Sequence, residues 1–85
     1  MYEVVFSRSG AKLTRSLPKS HRERLRRILE AMKDNPFSQP YRKIRGETNL
    51  YRIRLGGFRV LYEIDDQMKR VVVLKVDKRS RVYKR

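Results

Sequence analysis

The sequence predicts an α+β fold in which two N-terminal helices pack on one face of a twisted, mainly antiparallel four-stranded sheet. Apolar residues recur at helical spacing in the first part of the chain and alternate with polar residues in the second. Gly56 and Gly57 separate two alternating segments, which is typical of a β-hairpin with a two-residue turn. We expect the order β-α-α-β-β-β in one domain, residues 1–85, because 85 residues are too few for two cores.

The first predicted elements are a short strand and a short helix. Residues 2–6 are rich in β-branched and aromatic side chains, which favours a strand. Ser7 or Ser9 is expected to cap the helix that follows, since serine accepts a hydrogen bond from the first helical turn. The helix is expected to end before Pro18, because the residue preceding a proline avoids helical angles.

The second predicted helix has a clearer apolar pattern than the first. Ser20 and Glu23 fit a capping box at its start, and Pro36 ends it. His21, in the first turn, is expected to be exposed and to have no role. Four apolar residues recur at the spacing i, i+3, i+4, i+7 and predict the buried stripe: Leu25, Ile28, Leu29 and Met32. For the arginines on the opposite face, simple solvation is the favoured interpretation.

The hairpin at Gly56 and Gly57 places arginines across from each other. With these two residues as the loop, Arg54 faces Arg59, and Arg52 lies on the same side of the sheet. Two arginines directly opposite repel, at a cost of a few tenths to about 1 kcal/mol. Such a pair indicates an anionic partner rather than stability, because arginine suits phosphate. The other side is apolar: Tyr51, Ile53, Leu55, Phe58, Val60 and Tyr62.

A valine-rich final strand is predicted over residues 70–76, after a longer reversal. This places the strand at 58–64 in the middle of the sheet. Simple alternation predicts the residues that join the apolar side: Val72, Leu74 and Val76. It predicts the side of the arginines for three others: Val71, Val73 and Lys75.

The amino-acid composition limits the kinds of partner and cofactor that the chain is expected to bind. The chain has 23 Lys and Arg against 9 Asp and Glu, a net charge of +14, which attracts polyanions at long range. It has no cysteine and one histidine, so we expect no metal site, and no cofactor motif is present. The first residues lack the apolar run of a secretory signal, and no stretch reaches membrane-spanning length. We therefore expect a cytoplasmic protein with no membrane partner and no small-molecule cofactor.

The arginines and the C-terminal tail suit one reaction, the cleavage of RNA by its own 2′-hydroxyl. That reaction needs a proton acceptor, positive charge around the phosphate and help for the leaving oxygen. Tyr83 is the best candidate acceptor, because cations at Arg79 and Arg81 favour its phenolate. Its ring can also stack on a base. The alternative for Tyr83 is packing at the sheet edge.

Several segments, taken in order along nearly the whole chain, resemble the RelE branch of the RelE/ParE toxin superfamily. They are residues 43–46, 51–55, 58–64, 76–79 and 82–83. The resemblance implies a microbial RNase-like α+β fold and the toxin of a type II toxin–antitoxin pair. It implies cleavage of messenger RNA in the ribosomal A site, leaving a 2′,3′-cyclic phosphate and a 5′-hydroxyl. The implied partners are a RelB-like, acidic and helical antitoxin, messenger RNA and ribosomal RNA.

The resemblance also assigns roles to residues. Arg59 holds the scissile phosphate, Arg79 assists the leaving group, and Tyr83 stacks on the substrate and helps to activate the attacking hydroxyl. Arg52 and Arg54 match two basic residues of the family on the preceding strand. Other basic residues are expected to contact RNA: Lys43, Arg45, Lys75, Lys78, Arg81 and Lys84.

The chain departs from the family at two places. Arg52 and Arg54 replace lysines of the best-studied RelE, which removes a lysine acid–base role. Asp77 replaces a glycine found in many relatives, so it either pairs with a catalytic arginine or caps the tail. Arg81 stays an alternative to Arg79. Two other functions stay open, a ParE-like inhibitor of DNA gyrase and a catalytically silent module that binds RNA or antitoxin.

Overall fold

The computed structural model describes residues 1–78, without the Lys78 side chain, and within that range it confirms the α+β class. The helices have the predicted place between the first strand and the rest of the sheet. One short strand was not predicted, in the basic segment before the hairpin. The elements are β1 Glu3–Phe6, α1 Arg8–Arg15, α2 Lys19–Asp34, β2 Arg42–Lys43, β3 Leu50–Leu55, β4 Phe58–Asp65 and β5 Arg70–Lys78.

The described strands form one sheet in the order β1-β5-β4-β3-β2. The β1 strand runs parallel to β5, and the other neighbours are antiparallel. As predicted, β4 lies in the middle. The two helices cover one face, where the core contains twelve buried apolar residues: Leu17, Leu25, Leu29, Met32, Ile53, Leu55, Val60, Tyr62, Ile64, Val71, Val73 and Val76.

The predicted alternation along β5 is wrong for its first half. Val71 and Val73 are fully buried in the core, whereas Val72 and Leu74 are half-buried on the other side. The cause is a β-bulge, since the β4–β5 register shifts by one residue and leaves Leu74 without a partner across the ladder. Beyond the bulge Val76 is buried, as predicted.

Of the two serines proposed to cap α1, Ser7 does so. Its Oγ accepts a hydrogen bond from the Gly10 N–H at 2.9 Å and donates one to the Leu74 carbonyl at 3.0 Å. Gly10 lies against the backbone of Val73, with no room for a Cβ. The cap and the glycine therefore bring α1 into close contact with β5.

The capping box predicted at Ser20 is wrong. The helix α2 begins two residues earlier than predicted, at Lys19, with Pro18 as its N-cap and no side-chain capping bond. Ser20 is already inside the first turn, where its hydroxyl cannot take the capping position. The predicted stripe is confirmed, with Leu25, Leu29 and Met32 buried. Neither described helix has the length and apolarity needed to cross a membrane.

The hairpin is confirmed residue by residue. Leu55 pairs with Phe58 and Arg54 with Arg59, so Gly56 and Gly57 form a two-residue loop. Gly56 has φ of 61° and Gly57 lies outside the positive region, as in a type II′ turn with glycine first. This turn fixes which side chains of β3 and β4 share a face.

Candidate nucleic-acid interface

The hairpin register brings the predicted arginines together on the sheet surface opposite the helices. Arg54 and Arg59 are direct partners in the β3–β4 ladder, and Arg52 lies two residues before Arg54 on the same side. We call the surface carrying Arg52, Arg54 and Arg59 the arginine face. The predicted juxtaposition is therefore present in the fold.

Arg59 lies at the centre of this face and is the most enclosed of the three. Only 9% of the residue is exposed, whereas Arg54 is exposed and Arg52 is half-buried. In the β-ladders, Arg59 lies directly opposite Arg54 of β3 on one side and directly opposite Asp77 of β5 on the other. An arginine rarely becomes this buried, because its charge loses solvation. Its position favours a fixed cation over a mobile surface charge.

A carboxylate borders the arginine face on the β5 side. Asp77 Oδ2 lies 3.3 Å from Lys75 Nζ, and both side chains are on the same side of β5. Asp77 thus sits between a lysine and the ladder position of Arg59. Two other ion pairs lie elsewhere, Lys33–Glu30 on α2 and Arg70–Glu3 between β5 and β1. On the arginine side of the described sheet, Asp77 lies next to Arg59 in the ladder and Glu63 lies four residues further along β4.

The other predicted RNA-binding residues are distributed around the face. Lys75 lies on it, and Arg45 is exposed in the turn that follows β2. Lys43 is paired with Tyr51, which puts it on the side of the helices, whereas Arg42 is paired with Arg52 on the arginine face. Sequence reasoning thus missed Arg42, because a two-residue strand leaves no alternation to read. The remaining candidates lie outside the described residues: Arg79, Arg81, Tyr83, Lys84 and the Lys78 side chain.

His21 was expected to be exposed, and this prediction is wrong. Its ring is half-buried and meets the Phe58 ring edge-to-face, with the centroids 5.3 Å apart. A Cβ at Gly56 would lie 2.7 Å from His21 Nε2, so the imidazole packs directly against the hairpin turn. The sequence held a signal for this, since His21 lies four residues before Leu25 and extends the buried stripe by one turn.

Four aromatic side chains cluster where α2, the following loop and the sheet meet. The Tyr41 ring lies 5.3 Å from Phe37 and 5.6 Å from Tyr51, and Tyr51 stacks on Tyr62 at 6.0 Å. Tyr62 is 1% exposed, in line with its predicted core position. Burial raises the pKa of the Tyr62 phenol well above its ordinary value, with nearby Tyr41 and Tyr51 adding to the shift. Tyr62 is therefore neutral near pH 7 and unsuited to accept a proton.

The arginine face can hold an anion by charge and by forked hydrogen bonds. Within residues 1–78 no group of three or more His, Asp or Glu residues is placed to hold a metal ion. The cations described on this face are guanidinium and ammonium groups. Guanidinium groups bind phosphate oxygens in pairs of parallel hydrogen bonds, which fixes the orientation of the phosphate as well as its position.

The chain is similar in sequence and in fold to toxins of toxin–antitoxin systems. Residues 6–83 match the family described as the ParE toxin of type II toxin–antitoxin system, parDE. A RelE-like toxin protein of Escherichia coli is 33% identical over 94% of this chain and 85% of its own length. The E. coli RelBE toxin–antitoxin complex superposes with a TM-score of 0.81 at 30% identity, covering 92% of this chain and 96% of that chain. The RelE–RelB complex of Pyrococcus horikoshii gives 0.78 at 29% identity, covering 94% and 97%.

Proposed function

The chain belongs to the RelE/ParE family of toxins from type II toxin–antitoxin systems, and on that premise we propose that it is a metal-independent endoribonuclease that cleaves messenger RNA in the ribosomal A site. The observation that carries the proposal is the cross-strand pair of Arg54 and Arg59, with Arg59 nearly buried. Repulsion between the two arginines weakens the hairpin slightly, and a bound phosphate removes that repulsion.

In the proposed reaction the 2′-hydroxyl of one nucleotide attacks the adjacent phosphorus atom. The bond from phosphorus to the 5′-oxygen breaks, which leaves a 2′,3′-cyclic phosphate and a 5′-hydroxyl. The proton of the 2′-hydroxyl passes to a base, and the departing 5′-oxygen receives a proton from an acid. Charge builds up on the non-bridging oxygens in between, so a fixed cation there speeds the reaction.

Arg59 is the residue we place at those oxygens. Because it is enclosed between two strands, little reorganisation is needed when the charge develops, and one such donor contributes roughly 2.7–4 kcal/mol in other enzymes. Arg54 and Arg52 hold the neighbouring phosphates. Family resemblance supports Arg79 as the group that assists the leaving oxygen and Tyr83 as the stacking residue and base. Those two residues lie outside the described part of the chain.

The test is to express the chain alone in growing cells and to map the ends of cellular transcripts. The proposal predicts growth arrest and new ends within translated regions that carry a 5′-hydroxyl. A translation inhibitor that empties the A site of messenger RNA abolishes those ends. Growth arrest without new ends contradicts the proposal, as does binding of RNA without scission, the behaviour of a silent binding module.

Inhibition of DNA gyrase is the second candidate, since the matching family is described as the ParE toxin. Inhibiting gyrase requires no cleavage of RNA, and one fold can serve both functions. Against it stands the arginine face, which a gyrase inhibitor has no evident reason to keep. A supercoiling assay with the purified chain separates the two, because only the gyrase inhibitor stops the formation of supercoiled DNA.

The proposed partner is an antitoxin, since the solved relatives include RelE toxins in complexes with RelB. A groove of about 330 Å³ between α2 and β1 offers a surface for it, and 41% of Phe6 in this groove is exposed. Its lining includes the buried Leu25 and Leu29 and the exposed Arg22 and Arg26, together with the Lys33–Glu30 ion pair. An amphipathic helix with an acidic flank matches this pattern.

A pull-down with the product of the neighbouring gene tests the antitoxin proposal. Phe6→Glu is expected to weaken the complex strongly, because it puts a charge into the apolar groove. Phe37→Glu is the matched control, since Phe37 is 39% exposed in another part of the surface. Equal binding by the two variants contradicts docking in this groove.

A further inference from the structure

A second groove opens beside the arginine face, at the part of the β3 edge that no strand within residues 1–78 covers. It has a volume of about 480 Å³ and lies between α2, the loop that follows it and the hairpin. The strand β2 pairs only with Tyr51 and Arg52 of β3, so the described edge of β3 beyond Arg52 borders this groove. Five residues of its lining are relevant to binding: Arg24, Tyr41, Arg42, Arg52 and Arg54.

The groove concentrates positive charge. Four of its lining residues are arginines, and none of the described residues that line it is acidic. Arg24, Arg42 and Arg54 are exposed, and they come from three different elements of the fold. Like charges converging from separate elements weaken the folded state, so an anion is the natural occupant.

Tyr41 adds an aromatic ring to the same groove. The ring is held by a tilted contact with Phe37 and an edge-to-face contact with Tyr51, yet 43% of the residue is exposed. A fixed and accessible ring next to arginines is the combination that single-stranded nucleic acid uses, because bases stack on the ring while cations follow the phosphates. Phosphate alone needs no such ring.

We propose that this groove binds single-stranded RNA adjacent to the cleavage site, with a base stacked on Tyr41 and phosphates held by Arg24 and Arg42. The proposal rests on the proposed function and deepens it, because it extends the substrate contact beyond the arginine face. Arg52 and Arg54 line the groove and also belong to that face. An RNA strand leaving the arginine face therefore enters the groove without crossing uncharged surface.

An acidic protein segment is the competing occupant. Its carboxylates match the arginines, but they give no reason for an accessible ring. The groove also joins the arginine face directly, whereas the apolar groove proposed for the antitoxin lies between α2 and β1. These two observations favour RNA.

The test measures the affinity of the full chain for 2′-O-methyl RNA, which has no free 2′-hydroxyl and is not cleaved. Two probes are used, a dinucleotide and an oligonucleotide of about six residues. Arg24→Gln and Tyr41→Leu are compared with Arg27→Gln, a matched change at an exposed arginine of α2 outside the groove. Tyr41→Phe keeps the ring and is expected to bind as the unmodified chain does.

We expect Arg24→Gln and Tyr41→Leu each to weaken binding of the longer probe about tenfold and to leave the dinucleotide unaffected. Arg24→Gln also lowers the slope of log affinity against log salt by about 0.7. Equal effects of Arg24→Gln and Arg27→Gln overturn the proposal, since the groove then acts only through net charge. Unchanged RNA binding with weakened antitoxin binding overturns it as well, in favour of the acidic protein. If the unmodified chain binds neither probe and cuts no message, the proposed function itself fails.

Discussion

The two faces of the sheet are formed by the same strands but differ in the chemistry of their side chains. On the helix-covered face of β4, Val60 and Tyr62 are 0% and 1% exposed and pack against apolar neighbours. On the arginine face of the same strand, Arg59 lies opposite Arg54. Burial of apolar area accounts for these residues of the first face, whereas on the second face two like charges lie opposite each other across the ladder. A residue that fits the fold poorly is therefore the better guide to function.

The two faces are also expected to respond differently to substitution. The helix-covered face stabilises the molecule through buried apolar area, so truncation there lowers the free energy of unfolding. For the arginine face, we expect truncation to reduce the proposed RNA cleavage more than it reduces the free energy of unfolding. Substitutions on each face, measured for both unfolding and cleavage, show whether the two responses are separate.

The largest expected effect is on the helix-covered face. Leu25→Ala removes a side chain that is 1% exposed and leaves a cavity, so the free energy of unfolding falls by about 2–5 kcal/mol. Arg27→Ala, on the exposed side of the same helix, changes it by roughly 0.5 kcal/mol or less. Urea denaturation measures both. A loss below about 1 kcal/mol for Leu25→Ala contradicts a close-packed core at this position.

On the arginine face, Arg59→Ala is expected to lower RNA cleavage by about 10²-fold or more, because a fixed cation at the phosphate is lost. The assay is ribosome-dependent cleavage of a defined message. Arg70→Ala is the control, since Arg70 is half-buried at the opposite end of the β4–β5 ladder. If the Arg59→Ala variant cleaves RNA at the original rate, Arg59 has no role in the cleavage.

The hairpin turn connects the two faces, and Gly56 is its sensitive position. Gly56→Ala is expected to lower the free energy of unfolding by about 1–2 kcal/mol, because alanine is strained at φ of 61° and its Cβ meets the His21 ring. Gly57→Ala is the matched control, since its Cβ meets no atom within 4 Å. Thermal unfolding of both variants checks the prediction. Equal losses at the two glycines contradict the assigned turn.

Alkaline pH offers a smaller test of the core. Burial raises the pKa of Tyr62, so the folded state binds its phenolic proton more tightly than the unfolded state does. The more tightly bound proton adds to the free energy of unfolding. This contribution is fully present below the usual tyrosine pKa of 10.0 and is lost as pH rises further, at up to about 1.4 kcal/mol per pH unit. Tyr62→Phe is expected to flatten this loss. A pH profile that is the same in Tyr62→Phe contradicts the assignment.

Sequence reasoning predicted the hairpin and its register because a loop of Gly56 and Gly57 allows only one pairing of the two strands. Apolar and polar residues also alternate along each strand next to the loop. It failed along β5 because Val71, Val72, Val73 and Leu74 are all apolar. Either phase of alternation then fits the sequence, and the bulge that decides between them depends on tertiary packing.

The residues of the candidate site also fall into those that the sequence pattern predicted and those that it did not. The arginine pair followed from local pattern, whereas the contributions of Arg42 and Tyr41 depend on how a loop and a two-residue strand meet the edge of β3. His21 was missed because its place in the first turn of the helix indicated exposure, although its spacing from Leu25 matched the buried stripe. Positions decided by contacts between distant segments leave little trace in a single sequence.

The most direct test of the account is the variant Arg54→Glu, measured for both unfolding and RNA cleavage. The substitution replaces repulsion across the ladder by attraction to Arg59, so the free energy of unfolding is expected to rise by a few tenths to about 1 kcal/mol. Cleavage is expected to fall by about tenfold or more, because a carboxylate now repels the phosphate. A less stable protein that still cleaves RNA at the original rate contradicts the claim that this arginine pair is kept for RNA rather than for the fold.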